Sequence, residues 1–378
     1  MSNVRCKQCL LLLLAGALLL AAGCEAAPVR GTIRAESFRP PAATPTPLPT
    51  AAPTATITLV TVPLAPFARF DPPSRAEFER PGALLVTISP GSAQWADLFL
   101  VDPGTGSLEC VTCTASLGME SNGCYAAPRF SSPAWAPGGH GYALAFRSVQ
   151  RNGILVRTAD GPLTELVGSA EDWFDDPAWS PDGGRIAYAR GPLRGEGYGS
   201  NQLCVLELGS SRAICIAEEK ANRFPAWSPD GMSLLFSGGD HVLSPVRPMD
   251  LFRWDLASLT VVRLTDTPVS EIAAQWSPDG SRLAYVRLDP CQDPPPSGLV
   301  LAAADDPASL PGTEGALDFA WSPGGTQIAF TQASPVVDEA CTMDCLPFTV
   351  LNLLDVGTGE ILPLTGGMQW VGGPAWRP

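Results

Sequence analysis

The sequence predicts an all-β protein, a six-bladed β-propeller with four antiparallel strands in each blade. Three observations predict this fold. A tryptophan-centred motif occurs six times, at intervals of 44, 48, 49, 45 and 55 residues. Strand-like alternation of apolar and polar residues fills the intervals, and the turn residues proline and glycine number 39 and 37 of 378. A period of 40 to 50 residues with four strands per repeat is typical of propeller blades.

Each repeat begins with a strand that ends in tryptophan and a tight turn. In the turn sequence Ser-Pro-Asp-Gly, proline fixes φ, aspartate caps the turn and glycine supplies a positive φ. A second strand follows, such as 185–190, then a third that ends in aspartate, such as 350–355, and a short fourth, such as 361–365. The six tryptophans are Trp135, Trp179, Trp227, Trp276, Trp321 and Trp376.

The two ends of the repeat region complement each other. The first unit starts with a second-strand pattern at residues 83–88, without a tryptophan strand before it, and the last stops at Pro374-Ala375-Trp376, a first strand. We therefore expect the C-terminal strand to become the innermost strand of the N-terminal blade. This arrangement closes the ring and removes exposed sheet edges. The propeller then occupies residues 82–378.

These repeats closely resemble those of TolB-type propellers, a family related to the WD-type propellers. Blades of that family carry Trp-Ser-Pro-Asp-Gly, then Ile-Ala-Phe, then an aspartate-terminated strand and Leu-Thr. The resemblance covers residues 82–378 and implies a six-bladed fold with a role in an envelope complex. The sequence shows no counterpart of TolB's two-layer helical domain, so the specific activity of TolB is not expected.

Residues 1–23 have the form of a secretory signal peptide. Arg5 and Lys7 precede the apolar run Leu10 to Ala22, which spans roughly 20 Å as a helix, less than the ~30 Å of a bilayer core. The run leads into Ala21-Ala22-Gly23-Cys24, which resembles the lipobox of bacterial lipoproteins. The resemblance implies a lipid anchor on Cys24, and hence a place in the bacterial cell envelope, on the extracytoplasmic side of the membrane. An ordinary signal peptide cleaved nearby is the alternative.

Residues 24–81 are predicted to tether the propeller to this anchor. Proline, threonine and alanine dominate residues 28–73. Such a composition has too little apolar surface to offset the entropy of ordering, and its prolines favour an extended chain. About 40 such residues span on the order of 35 Å as a coil and up to ~120 Å when extended.

The charge of the chain excludes nucleic acid as a partner. The chain has 24 basic and 38 acidic residues, a net charge of −14. Residues 82–378 alone have 16 basic and 33 acidic residues, or −17. Nucleic acid requires a cationic surface, whereas these basic residues are spread singly.

The cysteines predict disulfides, because an exported protein folds in an oxidising compartment. Cys204 and Cys215 lie almost symmetrically about a turn at 209–210 and are expected to face each other on adjacent strands. The pairing of Cys110 and Cys291 is left open. The expected disulfides are Cys204–Cys215, Cys113–Cys124 and Cys341–Cys345.

The sequence contains no motif for catalysis. It lacks the Gly-x-Ser-x-Gly elbow of hydrolases and the glycine motifs of nucleotide sites. A propeller lyase resembling oligogalacturonate lyase would need a histidine-rich metal site, whereas His140 and His241 are the only histidines. We expect no enzymatic activity and no resident metal or cofactor; a cation bound in the channel is left open.

The segments before the innermost strands break the repeat and are predicted to surround one mouth of the central channel. The long loops 288–297 and 332–346 are expected on the same face. Mixed aromatic and charged residues suit a cation, a basic peptide or a sugar; a solvated acidic rim without a ligand is the alternative. The candidate ligand residues are Arg129, Phe130, Trp173, Asp175, Asp176, Arg223, Glu271, Asp318 and Trp370.

We expect a monomeric, non-enzymatic binding scaffold for a protein or peptide partner, which contacts the membrane only through its lipid. Two alternatives are left open. One is binding of a carbohydrate or cell-wall glycan at Trp173 and Trp370. The other is a glycan lyase or hydrolase, whose acid and base would come from Glu171, Asp175, Asp176 and Asp318.

Overall fold

Twenty-five strands and one short 3-10 turn, Pro137–Gly139, make up the regular structure of the described residues. The strands form six antiparallel sheets, which are the six blades of the predicted propeller. No helix in the described part of the chain is long and apolar enough to cross a membrane. The computed structural model describes residues 56–61, 82–89, 96–112, 129–148, 150–193, 201–210, 212–217, 221–239, 248–289, 297–303, 306–333, 349–366 and 370–378.

Blades I to III contain the first half of the strands, which run outward from the channel within each blade. A separate strand, β1, precedes them. The strands are β1 (Thr56–Thr61); in blade I β2 (Leu84–Ser89), β3 (Asp97–Val101) and β4 (Leu108–Cys110); in blade II β5 (Arg129–Trp135), β6 (Gly141–Arg147), β7 (Asn152–Thr158) and β8 (Thr164–Ser169); and in blade III β9 (Asp172–Trp179), β10 (Arg185–Pro192), β11 (Gln202–Glu207) and β12 (Arg212–Ala217).

Blades IV to VI repeat this order, and the last strand returns to blade I. The strands are, in blade IV, β13 (Ala221–Trp227), β14 (Ser233–Gly239), β15 (Asp250–Asp255) and β16 (Thr260–Arg263); in blade V β17 (Ser270–Trp276), β18 (Arg282–Leu288), β19 (Ser297–Ala303) and β20 (Asp306–Ser309); in blade VI β21 (Ala316–Trp321), β22 (Gln327–Ala333), β23 (Thr349–Asp355) and β24 (Ile361–Pro363); and β25 (Trp370–Trp376).

The ring closes through the C-terminal strand, as predicted. Strand β25 pairs with β2, with Trp376 opposite Leu84 and Val371 opposite Ile88. Beyond the strand, the Arg377 N–H donates a hydrogen bond to the Ala83 carbonyl at 2.9 Å. Blade I is therefore built from both ends of the propeller, and the prediction is confirmed.

Tryptophans and arginines join neighbouring blades. The Trp227 indole N–H donates to the Ala178 carbonyl of blade III at 3.0 Å. Arg185 of blade III stacks on the Trp227 ring at 4.6 Å from its centre, a cation–π contact. Arg377 makes the same contact with Trp135 at 5.8 Å and so joins blade I to blade II across the closure.

Strand β1 lies inside the segment predicted as a tether and adds a fifth strand to blade III. It pairs antiparallel with β12, with Thr56 opposite Ala217 and Thr61 opposite Arg212. Residues 56–61 are Thr-Ile-Thr-Leu-Val-Thr, a proline-free run of residues with high β propensity. The proline-rich average over residues 28–73 concealed this run, so the tether interpretation is corrected for these six residues.

The disulfide between Cys204 and Cys215 is confirmed. The two residues are directly opposite each other on β11 and β12, and both side chains are fully buried. Cys110 is also disulfide-bonded. Cys24 and the pairs expected at Cys113–Cys124 and Cys341–Cys345 lie outside the described residues.

Candidate functional site: the channel mouth

The innermost strands of the six blades enclose a central channel with a volume of about 330 Å³. Six equivalent residues, one from each blade, are the first along their strands to line this channel, and we call them the mouth ring. Each lies three positions before the repeated tryptophan of its blade. The mouth ring consists of Ser132, Asp176, Phe224, Ala273, Asp318 and Gly373.

A β-bulge interrupts each innermost strand near its mouth-ring residue; in blade IV the register shifts between Arg223 and Ala226. Ser132, Asp176, Phe224 and Ala273 have positive φ angles of 49°, 53°, 57° and 55°. Non-glycine residues rarely adopt this conformation, which costs roughly 1–3 kcal/mol each and clusters at functional sites. Bulges also re-aim side chains. The strain is therefore concentrated around the mouth.

Arg223 binds two aspartates of the neighbouring blade. Its Nε lies 2.6 Å from Asp176 Oδ2, and its Nη2 lies 3.1 Å from Asp176 Oδ1 and 3.2 Å from Asp175 Oδ2. The hydroxyls of Ser131 and Ser132 donate to the other oxygen of Asp175 at 3.1 and 2.8 Å. We call Asp175, Asp176 and Arg223 the mouth triad; with the two serines it joins blades II, III and IV.

Two aromatic rings enclose the Arg223 guanidinium, Trp173 at 5.2 Å and Phe224 at 5.1 Å from the ring centres. Burial alone would lower the pKa of Arg223, but the charges of Asp176 and Asp175 outweigh burial and raise it. Arg223 therefore stays cationic. Burial raises the pKa of Asp176, while Arg223 opposes this shift.

Asp318 lies in blade VI, three blades from Asp176 and hence on the opposite side of the ring. Its carboxylate accepts hydrogen bonds from the backbone N–H groups of Phe319, at 2.8 Å, and Gly373. Within the described part of the chain it has no ion-pair partner. Burial, and then the charges of Asp176 and Asp175, raise its pKa to about 7. Among the side chains that the structure describes, the mouth thus has three carboxylates and one guanidinium.

We expect Asp318→Asn to stabilise the protein at pH 8 but not at pH 4. Because the folded-state pKa is raised to about 7 from 3.8, the folded protein holds a proton between these pH values that the unfolded chain releases. The resulting stability is present below pH 4 and is lost as the pH rises through 7. Asparagine never ionises, so the variant gains about 2 kcal/mol at pH 8, allowing for solvent in the channel.

Thermal melts of both proteins at pH 4 and pH 8 measure this difference. Asp182→Asn is the control, because hydrogen bonds from Ser180 and Gly184 lower the pKa of Asp182. Loss of the Asp182 carboxylate should lower the melting temperature at pH 8, whereas Asp318→Asn should raise it. If Asp318→Asn leaves the melting temperature unchanged at pH 8, ionisation of this carboxylate does not destabilise the folded protein, and the prediction is wrong.

Two predicted ligand residues do not line the mouth. Phe130 is 2% exposed and packs in the core between blades I and II. Glu271 is fully buried at the joint of blades IV and V, where Arg287 Nη2 lies 2.9 Å from its Oε1. Burial raises the pKa of Glu271, against hydrogen bonds from Thr265 and Arg287. The pair joins β17 to β18 and is therefore a structural contact within blade V.

Two further candidates are described only through their main chains. Arg129 pairs with Arg147 on β6, and Trp370 pairs with Ser89 on β2. Most of the long loops, at 290–296 and 334–348, lie outside the described residues. Among the described residues, no three histidine, cysteine, aspartate or glutamate side chains are grouped to hold a metal ion.

Ser131 and Ser132 belong to the site although sequence reasoning did not select them. They occupy the same positions relative to Trp135 that Asp175 and Asp176 occupy relative to Trp179. Alignment of the repeats on the tryptophans therefore carried the signal. Charged and aromatic side chains are the residue types that indicate a binding site in a sequence, whereas a serine by itself does not.

No family model matches this sequence, and no curated protein matches it either. Solved structures do match. A crystal structure of TolB from Acinetobacter baumannii has a TM-score of 0.57 and 16% identity, covering 80% of this chain and 67% of that one. A protein assigned as TolB from Agrobacterium tumefaciens has a TM-score of 0.51 and 15% identity, covering 79% of this chain and 100% of that one.

A chain of the nidogen/laminin complex has a TM-score of 0.54 and 8% identity, covering 78% of this chain and 98% of that one. At such identities the likeness concerns the fold alone. The predicted resemblance is confirmed at that level: this chain has the six-bladed propeller fold of the TolB structures.

Proposed function

We propose that this protein is a lipid-anchored, non-enzymatic scaffold of a bacterial cell envelope, which docks an extended segment of a protein partner at its channel mouth. One observation carries the proposal: Asp318 lies at the mouth without a cationic partner in the described structure, opposite a triad whose only cation is already engaged. The described side chains of the site therefore carry more negative than positive charge, and none of the described cations neutralises Asp318.

The surroundings of Asp318 favour a peptide over a free ion. Leu317, adjacent to it, is 37% exposed, and the half-buried Phe224 lines the channel. A lysine or arginine side chain carries an apolar stem and a charged end, and matches an apolar surface that ends in a carboxylate. A partner segment with a basic side chain beside an apolar one fits both features.

Envelope location rests on the signal peptide and the lipobox-like sequence at Cys24. The fold supports it, since two of the matching structures are TolB proteins. A third match belongs to a complex between two proteins, nidogen and laminin. That chain is a precedent for a propeller of this shape in a protein complex.

The glycan alternative loses one of its two expected contacts. Trp173 is 6% exposed, and Arg223 lies over its ring. A sugar needs an open aromatic face, and this one is covered. The structure does not describe the side chain of Trp370, the other expected contact.

The enzyme alternative keeps one specific observation in its favour. A carboxyl group with its pKa raised to about 7 suits a general acid, and the mouth triad places two further carboxyl groups, of Asp175 and Asp176, near the same channel. Turnover of a polysaccharide that is abolished in Asp318→Asn would establish this function in place of docking.

Fluorescence anisotropy with two labelled peptides tests the docking function at pH 8, where Asp318 is ionised. One peptide carries alternating arginine and phenylalanine; the second carries glutamate at each arginine. We expect the arginine peptide to bind, the glutamate peptide not to bind, and Asp318→Asn to weaken binding about tenfold, or ~1.4 kcal/mol. Asp182→Asn, in an exposed turn, should bind as the wild type does. Equal binding of both peptides would contradict the proposal.

A further inference from the structure

Strand β1 determines on which face the N-terminal segment leaves the propeller. Thr56 pairs with Ala217, the last residue of β12, whereas Thr61 pairs with Arg212 at its start. In the same blade Asp172, which begins the innermost strand, pairs with Pro192 at the end of β10. Because the strands alternate in direction, Thr56, Ala217 and Asp172 share one end of the blade. From that end the mouth triad is reached within five residues: Arg223 is the third residue of β13, and Asp175 and Asp176 are the fourth and fifth residues of β9.

The chain that precedes β1 contains a basic segment. Residues 28–40 contain three arginines, Arg30, Arg34 and Arg39, and one acidic residue, Glu36, so their net charge is +2. The segment also contains an aromatic residue, Phe38. Residues 41–55 carry no charge. The propeller itself is strongly acidic, and the described part of its mouth has three carboxylates for one guanidinium. The segment and the mouth are therefore complementary in charge.

The connecting chain is long enough to bring the two together. Pro40 and Thr56 are 16 residues apart, which span up to ~50 Å in polyproline form and roughly 22 Å as a coil. Strand β1 is four strand spacings from β9, or roughly 19 Å. A linker that matches its span gives an effective concentration of about 1 mM. Even a weak contact of ~100 µM would then be about 90% occupied.

We propose that residues 28–40 dock in the channel mouth of the same molecule and compete there with the partner segment. The inference rests on the proposed function, because it assigns a regulator to the same site. A partner binds only when it displaces this segment. The basic segment thereby lowers the apparent affinity for the partner about tenfold.

Photo-cross-linking in the mature chain, residues 24–378 with Cys24→Ser, tests the contact. A photoreactive phenylalanine analogue replaces Phe38, and the control carries it at Leu48 in the uncharged part of the tether. We expect the probe at position 38 to cross-link to peptides from β13 and β21, which contain Phe224 and Asp318. The combined changes Arg30→Glu, Arg34→Glu and Arg39→Glu should abolish these cross-links.

Three results would overturn the inference: cross-links spread over the surface, cross-links equal to those of the Leu48 control, or intermolecular adducts that grow with concentration. The last would assign the segment to a second copy. Peptide binding separates this outcome from failure of the proposed function. The triple variant should bind the arginine peptide about tenfold more tightly than the wild type. If the triple variant and the wild type bind the arginine peptide equally tightly, the inference is overturned and the proposed function stands. If the probe at position 38 gives specific cross-links but the protein does not bind the peptide, the inference is supported and the proposed function is contradicted.

Discussion

Deletion of residues 374–378 is expected to lower the melting temperature by about 10 °C. The deletion removes Trp376 and the end of β25, the strand that completes blade I. A tryptophan buries about 150–250 Å², worth roughly 4–6 kcal/mol at ~25 cal/mol per Å². This loss is a large part of the ~5–15 kcal/mol that stabilises a typical domain. It also leaves Leu84 and Leu85 of β2 without their partners on the closing strand.

Scanning calorimetry of the deletion variant beside one that lacks only Pro378 measures this effect. The shorter deletion keeps Trp376 and the Arg377 contacts, so its melting temperature should match that of the wild type. A melting temperature unchanged after removal of residues 374–378 would show that the ring does not depend on this closure.

Arg223→Ala is expected to reduce the free energy of unfolding by about 3–5 kcal/mol. The variant leaves Asp175 and Asp176 without their cation, although the side chains are only 15% and 9% exposed. It also removes the guanidinium from between Trp173 and Phe224. Unpaired buried carboxylates cost more than the bonds that are lost.

Urea unfolding at pH 8 measures the change, and Arg190→Ala in the adjacent blade is the matched control. Arg190 pairs with Asp172 at 3.1 Å, but both side chains are about a quarter exposed, at 23% and 25%. Its loss should therefore cost about 1 kcal/mol or less. Addition of Asp176→Asn to Arg223→Ala should restore part of the stability. Equal effects of the two arginine variants would mean that the mouth triad is an ordinary surface pair.

The fold was predictable because its signals are local. The Ser-Pro-Asp-Gly turn acts within five residues: the Ser228 hydroxyl donates to Asp230 at 2.6 Å, and Asp230 accepts from the Met232 N–H at 2.9 Å. The closure followed from the incomplete units at the two ends. Cys204 and Cys215 were identified because a short hairpin determines its own register.

The site was predictable in composition but not in geometry. Asp175, Asp176, Arg223 and Asp318 were selected because they precede the innermost strands. Phe130 and Glu271 were selected by the same rule, yet both are buried. The difference depends on the phase of the strand, since a shift of one residue turns a side chain to the other face. The bulges that set this phase occur at Ser132, Asp176, Phe224 and Ala273, and of these residue types only aspartate is enriched at positive φ.

The pH dependence of peptide affinity tests the role of the mouth most directly. If the Asp318 carboxylate receives a basic side chain of the ligand, the affinity of the wild type for the arginine peptide falls about tenfold between pH 8 and pH 6, as this group gains its proton. Asp318→Asn should bind weakly at both pH values, without this dependence. A wild-type affinity that is the same at pH 6 and pH 8, or a variant that keeps the wild-type pH profile, would contradict docking at the channel mouth.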